Sequence, residues 1–226
     1  MSQTTFDALA AKRNELAETL PGTVGPSWPF VPWAGSKLVE TQRGLYVVGI
    51  ALAPEEAYGD GTYTSRLQVT EAFCTRKHES TTFWQFVDRL TVEFLGGPYF
   101  ETSDRWGWSN IFKIAWHSDS PSDWPRTLRD GQKTLSQKAF AEETAHLRDS
   151  LILVLSADDY GVFGDKDNYV WNKDGEKDAG IWWRQDPDTR NLFMHGYHPK
   201  AMQLGGFSDP AFKYIVDVTR RTLPPL

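Results

Sequence analysis

One cysteine, three methionines and five histidines are all that this chain of 226 residues offers as soft or nitrogenous metal ligands. The lone Cys74 excludes an internal disulfide, a four-cysteine zinc site and a cysteine-held iron–sulfur cluster. Long apolar runs are missing too. The strongest, around Tyr46 to Ala53, falls far short of the ~20 residues that span a bilayer. The opening Met-Ser-Gln-Thr-Thr-Phe-Asp has no basic segment followed by an apolar run, so no secretory signal is expected. A soluble, cytoplasmic protein is the expectation. Positive charge is also in short supply, with 24 Lys and Arg against 30 Asp and Glu, a net charge of −6 and a pI near 5.4. Proteins that coat nucleic acid electrostatically are normally basic, so any nucleic-acid contact here rests on a local basic face and is modest and salt-sensitive.

Several chemistries are absent as motifs. There is no G-x-x-x-x-G-K-[ST] and no G-x-S-x-G, and Gly59-Asp60-Gly61 does not continue as G-x-G-x-x-G. His195 and His198 form H-x-x-H, but the spacing beside a proline and the lack of a third nearby ligand argue against metal.

What the chain does have is core. It is 40% hydrophobic and 14% aromatic, with ten tryptophans, enough for one large domain over residues 1–226 without staples. Most of the tryptophans read as packing anchors, with Trp106/Trp108 and Trp182-Trp183 as pairs able to stack on sugars or bases. Residues 5–20 read as an amphipathic helix closed by Pro21-Gly22, and residues 21–35 as an extended, proline-rich lead-in. Residues 45–52 are apolar without alternation, the pattern of a buried parallel strand. A long loop is expected from Ala53 to about Lys77. A helix then starts at Ser80 or Thr81, lays Phe83, Phe86/Val87, Leu90 and Phe94 on one face, and ends at Gly96-Gly97-Pro98. Further strands are expected at 110–116, 150–156 and 191–195, and a helix at 136–149. The stretch 156–190 reads as an insertion with a hairpin around Asp174-Gly175.

Alternation of helix and strand predicts an α/β protein, a parallel sheet with helices on both faces. Ligands of such sheets sit outside the carboxyl ends of the strands. That singles out Ala53–Glu71, Trp116–His117, Ser156–Tyr160 and His195–Leu204.

Four motifs in order carry a resemblance: GIALAP (Gly49–Pro54), SNIFKIA (Ser109–Ala115), the LILVLS strand and HGYHPKAMQLGG (His195–Gly206). Over about residues 45–220 the chain resembles the uracil-DNA glycosylase superfamily. The resemblance implies a three-layer α/β/α sandwich around a four-stranded, mainly parallel sheet. It implies a monomeric DNA-repair enzyme that flips uracil, or another deaminated base, out of DNA and hydrolyses its N-glycosidic bond without metal or cofactor. Residue by residue, it gives Asn110 the base edge and His198 the leaving base, and it puts Ala51 in the first motif, where a water-activating Asp or Asn is usual. The first motif is most similar to the G-L-A-P-A branch, whose acid lies downstream in T-G-R-x-x-x-x-D. Here Thr64-Ser65-Arg66 is followed five residues on by Glu71, which would take that place. The branch's four-cysteine cluster is missing.

The chemistry asks for those residue types. An oxocarbenium-like sugar needs a carboxylate near it, and the departing base needs a donor where charge develops. Asn110 offers a donor and an acceptor for the O4/N3–H edge of uracil. Tyr58, Tyr63 or Phe73 could stack on the flipped base. Lys200, Met202 and Gln203 follow His198-Pro199 in a tip, Met202-Gln203-Leu204, suited to wedging between base pairs. Plainer readings stay open: Asn110 as a turn cap, Glu71 as a solvated carboxylate, with Asp60, Glu55 or Glu56 in its stead, and His198-Pro199 as an ordinary turn. At the level of function, a catalytically silent nucleic-acid-binding protein and a small-molecule nucleoside hydrolase remain alternatives.

Overall fold

The stretches that run apolar without alternation become the central strands of one sheet. The computed structural model describes residues 1–20, 25–50, 61–77, 81–116, 123–156, 180–206 and 208–226. Its helices are α1 (Gln3–Thr19), α2 (Ser36–Thr41), α3 (Tyr63–Thr75), α4 (Thr82–Leu95), α5 (Arg126–Thr144), α6 (Pro199–Leu204) and α7 (Ser208–Thr222). Its strands are β1 (Trp33–Ala34), β2 (Leu45–Gly49), β3 (Trp106–Asn110), β4 (Leu151–Leu155), β5 (Ile181–Gln185) and β6 (Leu192–Gly196). No described helix is long and apolar enough to cross a membrane.

The sheet order is β1-β3-β2-β4-β6-β5. The four inner strands run parallel. The outer two, β1 and β5, pair antiparallel with their neighbours. The sheet is therefore six-stranded and mixed, which corrects the four-stranded expectation. Each added edge has a physical reason for escaping sequence reading. Strand β1 is two residues long, inside the proline-rich lead-in, too short to show alternation. Strand β5 carries Trp182-Trp183 and lies in the stretch read as an insertion; the expected hairpin at Asp174-Gly175 lies outside the described residues.

Alternation along the strands divides the core in two. Leu45, Val47, Leu151, Leu153 and Met194 join the side chains of α4 and α7 on one face. Tyr46, Val48, Ile152, Val154 and Phe193 join those of α1 and α5 on the other. Every residue of β2, β3, β4 and β6 is buried, as expected of strands covered on both faces.

Three boundaries moved. Strand β3 occupies 106–110, so Asn110 ends it rather than starting it. The apolar run 111–116 that suggested a strand is buried, but it forms no ladder: its backbone bonds to the main chain of Gly49, Ile50, Ser27 and Phe30 and to two side chains. Gln132 accepts from the Ile114 N–H at 2.8 Å and donates to the Ile114 carbonyl at 2.7 Å. Ser27 accepts from the Ala115 N–H at 2.7 Å. The expected loop from Ala53 to Lys77 contains α3, capped by Thr62, which accepts from Ser65 N–H. Its buried line is Arg66, Thr70 and Cys74, polar or small residues that give no apolar period. The same disguise hides the first half of α5, where Gln132 faces inward, so that the helix starts at Arg126 rather than at 136.

The Gln132 clamp yields a stability prediction. Gln132→Leu keeps the volume but strands a buried N–H and a buried carbonyl, at about 1–3 kcal/mol each. Urea denaturation should show a loss of about 2–5 kcal/mol with an unchanged m-value. A loss of a few tenths would mean that the segment finds other partners.

Candidate active site

The carboxyl ends of β2 and β3 meet at the pair Gly49–Asn110. Both residues point to the face that α4 covers. A Cβ on Gly49 would lie 2.7 Å from Asn110 Oδ1 and 3.4 Å from the Phe83 ring. The bare glycine is what lets the carboxamide lie across the end of β2. Asn110 itself is 1% exposed.

Helix α4 places Phe83. Thr81 caps the helix, accepting from Trp84 N–H at 3.4 Å, and Phe83 sits in the first turn. Its ring lies against the His198 imidazole, with centroids 6.0 Å apart and planes 17° off parallel. Gly49, Asn110, Phe83 and His198 thus form one contiguous group at the strand ends.

His198 is fixed by its own chain. It caps α6, with Pro199 in the first turn, where a proline loses no needed hydrogen bond. Nδ1 accepts from the Lys200 N–H at 3.3 Å, which leaves the proton of a neutral ring on Nε2. Burial, and then the Lys200 charge, pull its pKa below the ordinary 6.5. At pH 7 the group is a neutral imidazole with an Nε2–H donor.

The other expected site residues fall elsewhere. Glu71 lies on the exposed side of α3, and no described contact joins it to Asn110 or His198. Tyr63 is turned to α1, its hydroxyl donating to the Met1 carbonyl at 3.1 Å and its ring edge-on to Phe6. Phe73 stacks on Trp84 at 6.5 Å and meets Trp108 edge-on at 6.1 Å, so it serves the core. Ala51 and Tyr58, with Glu55, Glu56 and Asp60, lie outside the described residues.

In the tip, Lys200 and Gln203 are exposed, and Gln203 Oε1 accepts from Thr82 Oγ1 at 3.3 Å. Met202 is corrected: it is 0% exposed and belongs to the core. The tip is a helical turn that buries Pro199 and Met202, three apart on one side, and turns the rest outward. The outward apolar side chain is Leu204, 81% exposed. The H-x-x-H pair does not act as one: His195 Nε2 meets the Ser156 carbonyl at 2.5 Å, and its ring stacks on Trp182 at 5.4 Å. Among the described residues no group of three His, Cys, Asp or Glu could hold a metal.

Sequence reading missed Phe83, which looked like one more core residue of an amphipathic helix. The available signal was its place two residues after the cap, at the end of α4 that faces the strand ends. No family model matches this chain, and no curated protein matches it.

The neutral imidazole carries a pH prediction. The unfolded chain takes up a proton on His198 near 6.5 and the folded chain only at lower pH, so stability rises with pH through the window just below 6.5. Above that window both states are neutral and the contribution is flat. An NMR titration should put the His198 midpoint under 6.5. His198→Gln should flatten that part of the denaturation profile, leaving the slope due to His146, whose pKa is likewise lowered by burial. A midpoint at or above 6.5 would contradict the half-buried, neutral assignment.

Proposed function

We propose that this protein is a DNA glycosylase that removes uracil, and other deaminated bases of similar edge, by hydrolysing the N-glycosidic bond. The observation that carries the reading is the joint placement of a buried carboxamide, Asn110, and a neutral imidazole donor, His198, around Phe83 at the carboxyl ends of parallel strands. Such strand ends are where α/β sheets bind ligands.

The roles follow from the chemistry of the departing base. As the C1′–N1 bond breaks, the bonding pair goes to the base and charge builds on its carbonyl oxygen. A fixed Nε2–H aimed at that oxygen stabilises the transition state more than the ground state. Water adds to the oxocarbenium carbon and loses its proton, and the base anion leaves to be protonated. Asn110 donates to O4 and accepts from N3–H, a pairing cytosine cannot match because it bears an amino group and an unprotonated nitrogen there.

Leu204 takes the wedge role that the tip suggested. An exposed apolar side chain beside Lys200 and Gln203 is suited to fill the gap left by a flipped nucleotide. The net charge of −6 favours the rival reading, a hydrolase of free nucleosides, whereas an 81% exposed leucine has no task there. Glu71 as the water-orienting carboxylate rests on its offset from Arg66 alone and is tested separately.

Single-turnover excision from a uracil-containing oligonucleotide checks the set. Asn110→Ala and His198→Ala should each cost about 10²–10³ in rate while the protein stays folded. Leu204→Ala should slow excision from duplex more than from single strands. Glu71→Gln should cost about 10²–10⁴ if this carboxylate orients the water; a full rate removes Glu71 from the mechanism. No excision by the wild type, together with release of base from free uridine or deoxyuridine, would favour the nucleoside hydrolase.

A further inference from the structure

Next to Asn110, on the opposite face of the sheet, lies a buried ion pair that the proposed chemistry does not use. Lys113 and Glu143 are 0% and 1% exposed at their side chains, with Nζ 2.9 Å from Oε1. Lys113 Nζ also donates to Ser109 Oγ at 2.5 Å, and Ser109 Oγ donates to Glu143 Oε2 at 2.7 Å. Tyr46 adds a hydroxyl to the same carboxylate at 3.2 Å. We propose that Lys113 is a positioning residue for Asn110: by gripping Ser109 and Glu143 it closes residues 109–113 into a ring and fixes where the Asn110 carboxamide points.

The ring is what makes this more than core packing. Ser109 and Asn110 are consecutive on a strand, so their side chains leave opposite faces of the sheet. Holding Ser109 on the α5 face therefore sets the rotation of the peptide that carries Asn110 on the α4 face. On the far side of Asn110 the chain leaves the strand. Ile111 N–H still reaches the Gly49 carbonyl at 2.9 Å, and Lys113 then turns back to the strand it has just left. An ammonium with three donors can hold a hydroxyl and a carboxylate together; a neutral side chain of the same length cannot. The anchor on α5 matters equally, because that helix also supplies Gln132, which clamps Ile114. Both turns of chain after Asn110 are thus tied to one helix.

The claim concerns the free protein; only its consequence for base excision rests on the proposed function. It is tested with Lys113→Met/Glu143→Gln, which removes both charges and leaves no uncompensated ion. The readout is hydrogen exchange of the Asn110 side-chain amide, identified in two-dimensional NMR by its absence from Asn110→Ala. The Gln132 side-chain amide serves as an internal reference. We expect Asn110 exchange to accelerate by about tenfold or more relative to Gln132. On uracil-containing DNA, kcat should fall with KM little changed, since a misdirected carboxamide fails in the transition state. Unchanged Asn110 exchange in the folded double variant overturns the proposal, and so does equal acceleration of both amides, which marks a purely structural role. Should the double variant not fold, Ser109→Ala leaves the ion pair whole, opens the ring, and carries the same two outcomes. If the wild type excises nothing, the glycosylase reading fails while the exchange data still decide the positioning role.

Discussion

Burying Lys113 against Glu143 is the constraint around which the sheet and its helices are arranged. Taking each ion out of water costs several kcal/mol, and mutual attraction offsets this only when the remaining donors and acceptors are satisfied. Here the satisfaction comes from three different places: Tyr46 on β2, Ser109 on β3 and the ammonium from the segment beyond β3. Burial pushes Lys113 down and Tyr46 well up, both toward the neutral form, while the adjacent carboxylate pulls the lysine back toward its charged one. The pair can exist only with α5 seated on that face of the sheet, and α5 is in turn covered by α1. A shift of α5 that carried Glu143 away would leave the Lys113 ammonium buried and unpaired, at a cost of about 3–5 kcal/mol.

The two faces of the sheet then divide the work. On the α5 face polar groups are spent on fixing backbone, with Gln132 and Ser27 side chains adding to the backbone bonds that tie 111–115 to Gly49, Ile50, Ser27 and Phe30. On the α4 face the core is aromatic, with Trp84, Trp106 and Trp108 in edge contact, and Asn110 lies at the strand end of that face. Large aromatic rings with few rotamers make a stiff wall. Phe83 joins that wall to the His198 ring, which lies 17° off parallel to it, while the Lys200 N–H holds the imidazole from its own helix.

Legibility in the sequence followed the same division. The strands β2, β4 and β6 and the helix α4 were readable because their burial is apolar and the periods of two or 3.6 are undisturbed. So was α1. What stayed hidden is burial by polar or small residues. Helix α3 turns Arg66, Thr70 and Cys74 inward; the unread first half of α5 turns Gln132 inward; and β3 reads as turn chemistry because Gly107, Ser109 and Asn110 form much of it. Asn110 and His198 could be named from motif order, but the link between them through Gly49 and Phe83 needed the β2–β3 register and the seat of α4. Met202 was misplaced by one feature alone: the six-residue helix at 199–204 rotates it into the core and leaves Leu204 outside.

On the proposed reading, a neutral imidazole is the more suitable donor for a leaving base. A half-buried imidazolium would have to carry part of its desolvation cost through every step. A neutral Nε2–H costs little to bury. Its interaction grows only as charge appears on the base, so its effect falls on the barrier. The tautomer that provides this donor is set by one backbone N–H at the start of α6. That same short helix carries Lys200, Gln203 and Leu204 on its outer side. On the proposed reading, a single turn of chain therefore couples insertion into the duplex to the orientation of the donor. Any displacement of α6 that moved Leu204 would also turn His198 against Phe83, so recognition of the gap and polarisation of the base would be lost together.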